Sequence, residues 1–253
     1  MRSVWNSFLI AVSMYSRIPV PQADWNEKNM RYALCFFPLI GAVIAAVCFG
    51  LFYLSEYLGL PVYLIGAVMT VVPIAVTGGL HMDGFCDTTD ALSSHQPRER
   101  KLEILKDSHT GAFAVIWCAV YFILYFGCAV SCTLQTYTVF LPAFVFARGL
   151  SAFSVANFPT AKEGLVSTFK NAGARAVVTI VSLFWIAGSV LYSVLLFPWL
   201  GGIVCISGLL AYLCCVAVMF RQFGGISGDL EGWMVQVVEI VMLLAAAVGG
   251  YVL

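Results

Sequence analysis

Long apolar runs separated by short polar intervals set the pattern of this chain. Runs long enough to cross about 30 Å of hydrocarbon fall at roughly Tyr32–Leu54, Val62–Leu80, Ala112–Cys132, Thr138–Ala156, Ala176–Phe197, Leu200–Phe220 and Met234–Leu253, which predicts seven transmembrane helices. The boundary between the fifth and sixth rests on Pro198, where a turn around Phe197–Gly202 must reverse the chain. Ahead of the first span, the apolar stretch Val4–Tyr15 is too short to cross, and no small-residue cleavage site follows it. It reads as an interfacial helix entering the turn Ser16–Pro21. The expected fold is an all-α, polytopic integral membrane helix bundle forming one domain over residues 1–253, without internal repeats.

Composition supports this and excludes a water-soluble globule, since 61% of the 253 residues are hydrophobic and 10% charged. The formal net charge is zero, but the charges are not evenly spread. Counting crossings puts the N-terminal segment and the loops at 81–111, 157–175 and 221–233 on one side. That side then holds all 13 lysines and arginines except Arg148, which lies within a span. By the positive-inside rule it is the cytoplasmic side. The expected location is a bacterial or archaeal cell (inner) membrane, with membrane lipid as a partner and any active site facing the cytoplasm. Nothing supports nucleic acid binding, and an oligomer is compatible with the sequence. The nine cysteines show no CxxC pair and no zinc spacing, so they read as packing residues.

The stretch from Thr77 to Gly111 carries the densest chemistry. Asp83, Asp87 and Asp90 stand at i, i+4 and i+7, within roughly 60° of one helix face. Carboxylates held that close repel one another unless a cation or shared protons lie between them, and an all-oxygen set favours Mg²⁺, Mn²⁺ or Ca²⁺. A solvated helix face is the plainer alternative, which the neighbouring apolar run weakens because unpaired charge at a bilayer boundary is costly. Metal held by carboxylates would suit a phosphoanhydride substrate, whose negative charge repels nucleophiles. His81, two residues earlier, is a candidate general base, with an ordinary hydrogen-bonded histidine as the alternative.

Three further groups lie near the same face. Arg98, Lys101 and Lys106 belong to a short helical run that could contact phosphate or rest on anionic headgroups. The turn Phe223–Gly232 is glycine-rich and contains Asp229, a possible contributor to the metal site. The loop 157–175, with Lys162, reads as a lid or as an ordinary cationic loop. Arg148 and Glu239 fall inside spans, where they either pair with each other or meet a substrate phosphate.

Taken together, Ser16–Pro21, Phe37-Pro-Leu-Ile-Gly41, Gly78-Gly-Leu-His-Met-Asp-Gly-Phe-Cys-Asp-Thr-Thr-Asp90, Leu102–Gly111 and Gly224-Gly-Ile-Ser-Gly-Asp229 resemble the cobalamin synthase (adenosylcobinamide-GDP ribazoletransferase) family over nearly the whole chain. The resemblance implies a Mg²⁺-dependent membrane enzyme that joins α-ribazole, or its 5′-phosphate, to adenosylcobinamide-GDP with release of GMP. Carried over by position, it implies Asp83, Asp87 and Asp90 as metal or catalytic residues, Glu103, Asp107 and Ser108 as a second polar cluster and Asp229 as a contributor from the last loop; with His81 or an aspartate as base, the expected metal ligands are Asp83, Asp87, Asp90 and Asp229 and the expected catalytic residues His81, Asp83 and Asp107. Arg98, Glu103, Lys106, Ser108, Arg148, Lys162 and Glu239 are then expected to bind substrate. Ala91, His109 and Gln236 depart from the family's usual Gly, Arg and Glu. The alternatives are a CDP-alcohol phosphotransferase-like enzyme, suggested by the Asp-Gly spacing, and a cation-coupled membrane transporter.

Overall fold

The computed structural model describes residues 2–107 and 109–252, so Ser108 lies outside the described residues. A hydrocarbon interior offers no partners for backbone amides, and helices satisfy them internally. The described residues accordingly form helices, joined by turns that include one isolated bridge between Thr160 and Ile226. In order they are α1 (Arg2–Tyr15), α2 (Glu27–Met30), a 3-10 turn (Ala33–Phe36), α3 (Phe37–Tyr57), α4 (Val62–Thr77), α5 (Leu80–Ser93) and α6 (Arg98–Ile104). There follow α7 (Ala112–Ser131), α8 (Leu134–Phe140), α9 (Ala143–Asn157), α10 (Leu165–Ala172), α11 (Arg175–Leu196), α12 (Pro198–Phe223) and α13 (Gly228–Val252).

Six spans are long and apolar enough to cross a membrane, and α4 with its bent continuation makes up to seven. The chain is a multi-pass, all-α membrane protein. α1 is not one of the spans: Ile10 and Ala11 are buried, while Trp5 is exposed. The reversal expected near Pro198 is present, with Phe197 alone separating α11 from α12. Gly201 lets this happen, because its Cα lies against the backbone of Ser193 with no space for a side chain.

Two expected spans differ in shape. The second stops at Thr77 rather than Leu80, because Gly78 and Gly79 adopt φ of 67° and 82°, where side chains are rarely accommodated. The pair turns the chain by 95°. The acidic stretch is therefore a separate helix, turned away from α4 and packed on α13 and α7, and not part of a loop. The fourth span is two helices, α8 and α9, broken at Leu141–Pro142, and 94% of its apolar window is buried. It runs through the middle of the bundle. Beside it α13 packs against α5, α7, α9 and α12, so the last helix binds the acidic helix to the membrane core.

Candidate active site

Small residues fix the acidic helix against the start of α13. A Cβ on Gly84 would lie 2.6 Å from the backbone oxygen of Asp229, and one on Gly232 would lie 3.2 Å from the His81 carbonyl oxygen. The two backbones therefore touch where α5 and α13 meet, which brings Asp229 to the face of α5 that carries Asp83 and Asp87. Gly84→Ala must push these helices apart, an overpacking cost of about 1–3 kcal/mol. We expect it to lower both thermal stability and activity. Gly127→Ala, where a Cβ would meet nothing within 4 Å, should leave both unchanged, and equal effects of the two substitutions would contradict this packing.

Asp87 senses the other two carboxylates. Burial first, then the charges of Asp83 and Asp229, push the Asp87 carboxyl up to about 6, against the opposing pull of Lys162. Lys162 Nζ donates to Asp229 Oδ2 at 2.7 Å and to the Leu105 carbonyl at 3.0 Å. Its loop is fastened to the glycine-rich turn, since Ala161 N donates to Ile226 O and Ile226 N to Pro159 O. Gly225 permits this close approach. The loop 157–175 thus forms one wall of the site.

Beneath this rim lies a cavity of about 510 Å³ between α1, α5, α9 and α13. His81, Asp83, Lys106, Lys162 and Asp229 all line it, so the structure brings together five residues expected from sequence. His81 is buried beside the stacked rings of Tyr15 and Phe37, with centroids 6.5 and 5.5 Å away. Burial, and then the positive charge of Arg148, lower its affinity for a proton, so it is held neutral. A neutral imidazole with depressed basicity suits hydrogen bonding better than proton abstraction.

Other expected residues do different work. Asp90 accepts the amides of Gly111 (2.6 Å) and Ala114 (2.9 Å), capping α7 with both oxygens, although its spacing aligns it with Asp83 and Asp87. Asp107 is turned toward His109, whose backbone N–H and ring lie 3.0 and 2.7 Å from Oδ1, and these contacts hold its carboxyl below the usual range. Glu103 pairs with Arg100 at 2.6 Å on the exposed surface. The Arg98 guanidinium lies on Gly224, which ends α12 in a left-handed conformation. Arg148 and Glu239 pair at 2.6 Å in the bundle interior, as the mutual-pairing reading of these intramembrane charges has it. None of these six side chains lines the cavity.

Sequence reasoning passed over Glu231, Ser151 and Tyr15, all of which line the cavity. Glu231 stood in the glycine-rich turn beside Asp229, three residues ahead of the expected last span, and a second acid at that boundary was the available signal. Among the described residues, no three His, Cys, Asp or Glu side chains converge on a ready-made metal site.

Comparison with known proteins gives a consistent picture. Residues 7–247 match the family described as cobalamin-5-phosphate synthase. An adenosylcobinamide-GDP ribazoletransferase of Lachnoclostridium phytofermentans is 45% identical over 244 residues, covering 96% of this chain and 94% of the relative. One of Clostridium botulinum is 32% identical, covering 97% and 98%. One of Thermosynechococcus vestitus is 31% identical, covering 98% and 99%. No solved structure matches.

Proposed function

The chain belongs to the cobalamin-5-phosphate synthase family, and from this we infer that it is an adenosylcobinamide-GDP ribazoletransferase of cobalamin biosynthesis, working by metal-assisted phosphoryl transfer at the acidic rim of the cavity. The observation that carries the mechanistic part is Asp83 and Asp229 lining one cavity with Lys106 and Lys162, with Asp87 close enough to feel the charge of both aspartates. The carboxylates fit Mg²⁺. Burial, and then the charges of Asp83 and Asp229, raise the Asp87 carboxyl, and Mg²⁺ is commonly held by one or two carboxylates together with substrate phosphates and water, without a closed protein cage. Asp83, Asp87 and Asp229 would hold it, and Asp90 would not, since both its oxygens cap α7. The bound ion would neutralise the phosphoryl oxygens and the departing phosphate.

In the transfer, the ribazole 5′-oxygen bonds to the phosphorus attached to cobinamide. The bond from that phosphorus to the oxygen bridging it to GMP breaks, and GMP leaves with the electron pair. The hydroxyl proton passes to a rim carboxylate, for which Asp83 is best placed because it lines the cavity and is not held by Lys162 as Asp229 is. Lys106 and Lys162 pair with the diphosphate oxygens. The positive-inside asymmetry supports a rim that faces the cytoplasm of a bacterial or archaeal cell.

Purified protein given adenosylcobinamide-GDP, α-ribazole and Mg²⁺ should release GMP in step with cobamide product, and EDTA should stop it. Turnover that survives EDTA would remove the metal from the mechanism. Turnover of CDP-alcohols in place of cobinamide-GDP would overturn the assignment of substrate.

A further inference from the structure

The inner part of the cavity has a chemistry of its own. Glu231 is 4% exposed and His81 5%, yet both carboxylate oxygens of the first and both ring nitrogens of the second lack a hydrogen bond of good geometry among the described residues, with Ser151 lying near Glu231. Buried polar groups in folded proteins are nearly always paired, and each unpaired one costs about 1–3 kcal/mol. Here four such atoms border one hollow, and the walls above them are apolar, from Leu34, Phe37, Val155 and Val166. Apolar walls with a few convergent polar groups are the usual make-up of a small-molecule site, and about 510 Å³ lies within the usual range of about 300–1,000 Å³.

We propose that this hollow seats the ribazole nucleoside, its fused-ring base against the apolar walls and its polar atoms on Glu231 and His81, with the 5′-hydroxyl rising to Asp83 at the rim. The assignment rests on the ribazoletransferase reading and extends it. Size excludes the corrin macrocycle from this space. Charge separates the remaining two candidates: the cavity's lysines, Lys106 and Lys162, approach from the partly exposed rim, and Lys162 is already bonded to Asp229. An apolar inner chamber whose lysines stay at the rim disfavours a phosphate-bearing group and accepts a neutral nucleoside. Guanine would also bring several donors and acceptors to walls that are mostly aliphatic, whereas the ribazole base is largely apolar. Glu231 then acts as a binding residue for the acceptor substrate, and the diphosphate of the other substrate stays outside with the lysines.

The test is binding of α-ribazole alone, by calorimetry on the purified full chain, together with KM for each substrate. Glu231→Leu keeps most of the volume and removes both polar atoms. It should weaken ribazole binding and raise the ribazole KM about tenfold, with the KM for adenosylcobinamide-GDP unchanged. Val155→Trp, which places an indole in the hollow, should abolish ribazole binding while cobinamide-GDP still binds, and that retained binding reports an intact fold. Displacement of ribazole by guanosine, or a change confined to the cobinamide-GDP KM, would overturn the proposal in favour of a guanine seat. Wild-type ribazole affinity in both variants would overturn it outright. Protein that binds ribazole in this Glu231-dependent way yet never releases GMP would uphold the pocket and overturn the transferase reading.

Discussion

Asp87→Asn is expected to lower GMP release by about 10²- to 10³-fold, the order seen when one charge-stabilising group is lost from a transition state, and yet to make the metal-free protein more heat-stable at pH 7.5. The two effects have one cause. Burial, Asp83 and Asp229 raise the Asp87 carboxyl from 3.8 to about 6. A carboxyl raised in the folded state binds its proton more tightly there than in the unfolded chain. The folded state therefore carries a penalty that is full above about pH 6, diminishes as pH falls through 6, and is gone below 3.8. Asparagine removes that penalty, so its gain in melting temperature should be large in EDTA at pH 7.5 and nearly absent at pH 4. With Mg²⁺ the order should reverse, because the wild type alone keeps the full carboxylate set. An equal gain at both pH values, or undiminished turnover, would contradict the proposed role of Asp87.

Arg148→Ala should be the most damaging single substitution in the bundle. Both side chains of the Arg148–Glu239 pair are 1% exposed, and Arg148 also donates to the Phe144 carbonyl at 2.8 Å and lies 5.9 Å from the Phe37 ring centroid. Removing the cation leaves a buried carboxylate without its partner, a loss of about 3–5 kcal/mol. Replacing both partners by apolar residues of similar size, Arg148→Met with Glu239→Leu, should restore most of the stability. The readouts are monodispersity and melting temperature in detergent, followed by GMP release. A double variant that folds and still turns over would establish the pair as structural. One that folds but has lost substrate binding would return these two residues to the site.

How much of this was legible in the chain depended on the physics behind each signal. The spans could be read because a lipid solvent demands long, apolar, self-satisfied helices. The tight reversal at Phe197 was marked by Pro198, and the electrostatic partners on the rim by their shared side. Hydropathy carries no record of which apolar helix faces lipid and which faces protein, so the burial of α9 was invisible. The aspartates show the limit of periodicity. Asp83, Asp87 and Asp90 do share a helix face, but the N-terminus of α7 comes to rest against the third, and a contact made 21 residues away cannot be read from a spacing of seven. Glu231 was passed over for a similar reason. Its surroundings are built by α1, α9 and α13 together, and its isolation emerges only once they have packed.

The same ion pair also bears on how the protein is made. Arg148 and Glu239 are 91 residues apart, so at about 5–20 residues per second the arginine is synthesised roughly 5 to 18 s before its partner. During that interval α9 bears an uncompensated charge, which disfavours release into lipid by about 2.5–3.5 kcal/mol. Two more hydrophobic segments, α11 and α12, emerge in the meantime. The middle of the bundle is therefore the part that must wait at the insertion machinery, and arrival of the last helix is what lets it settle.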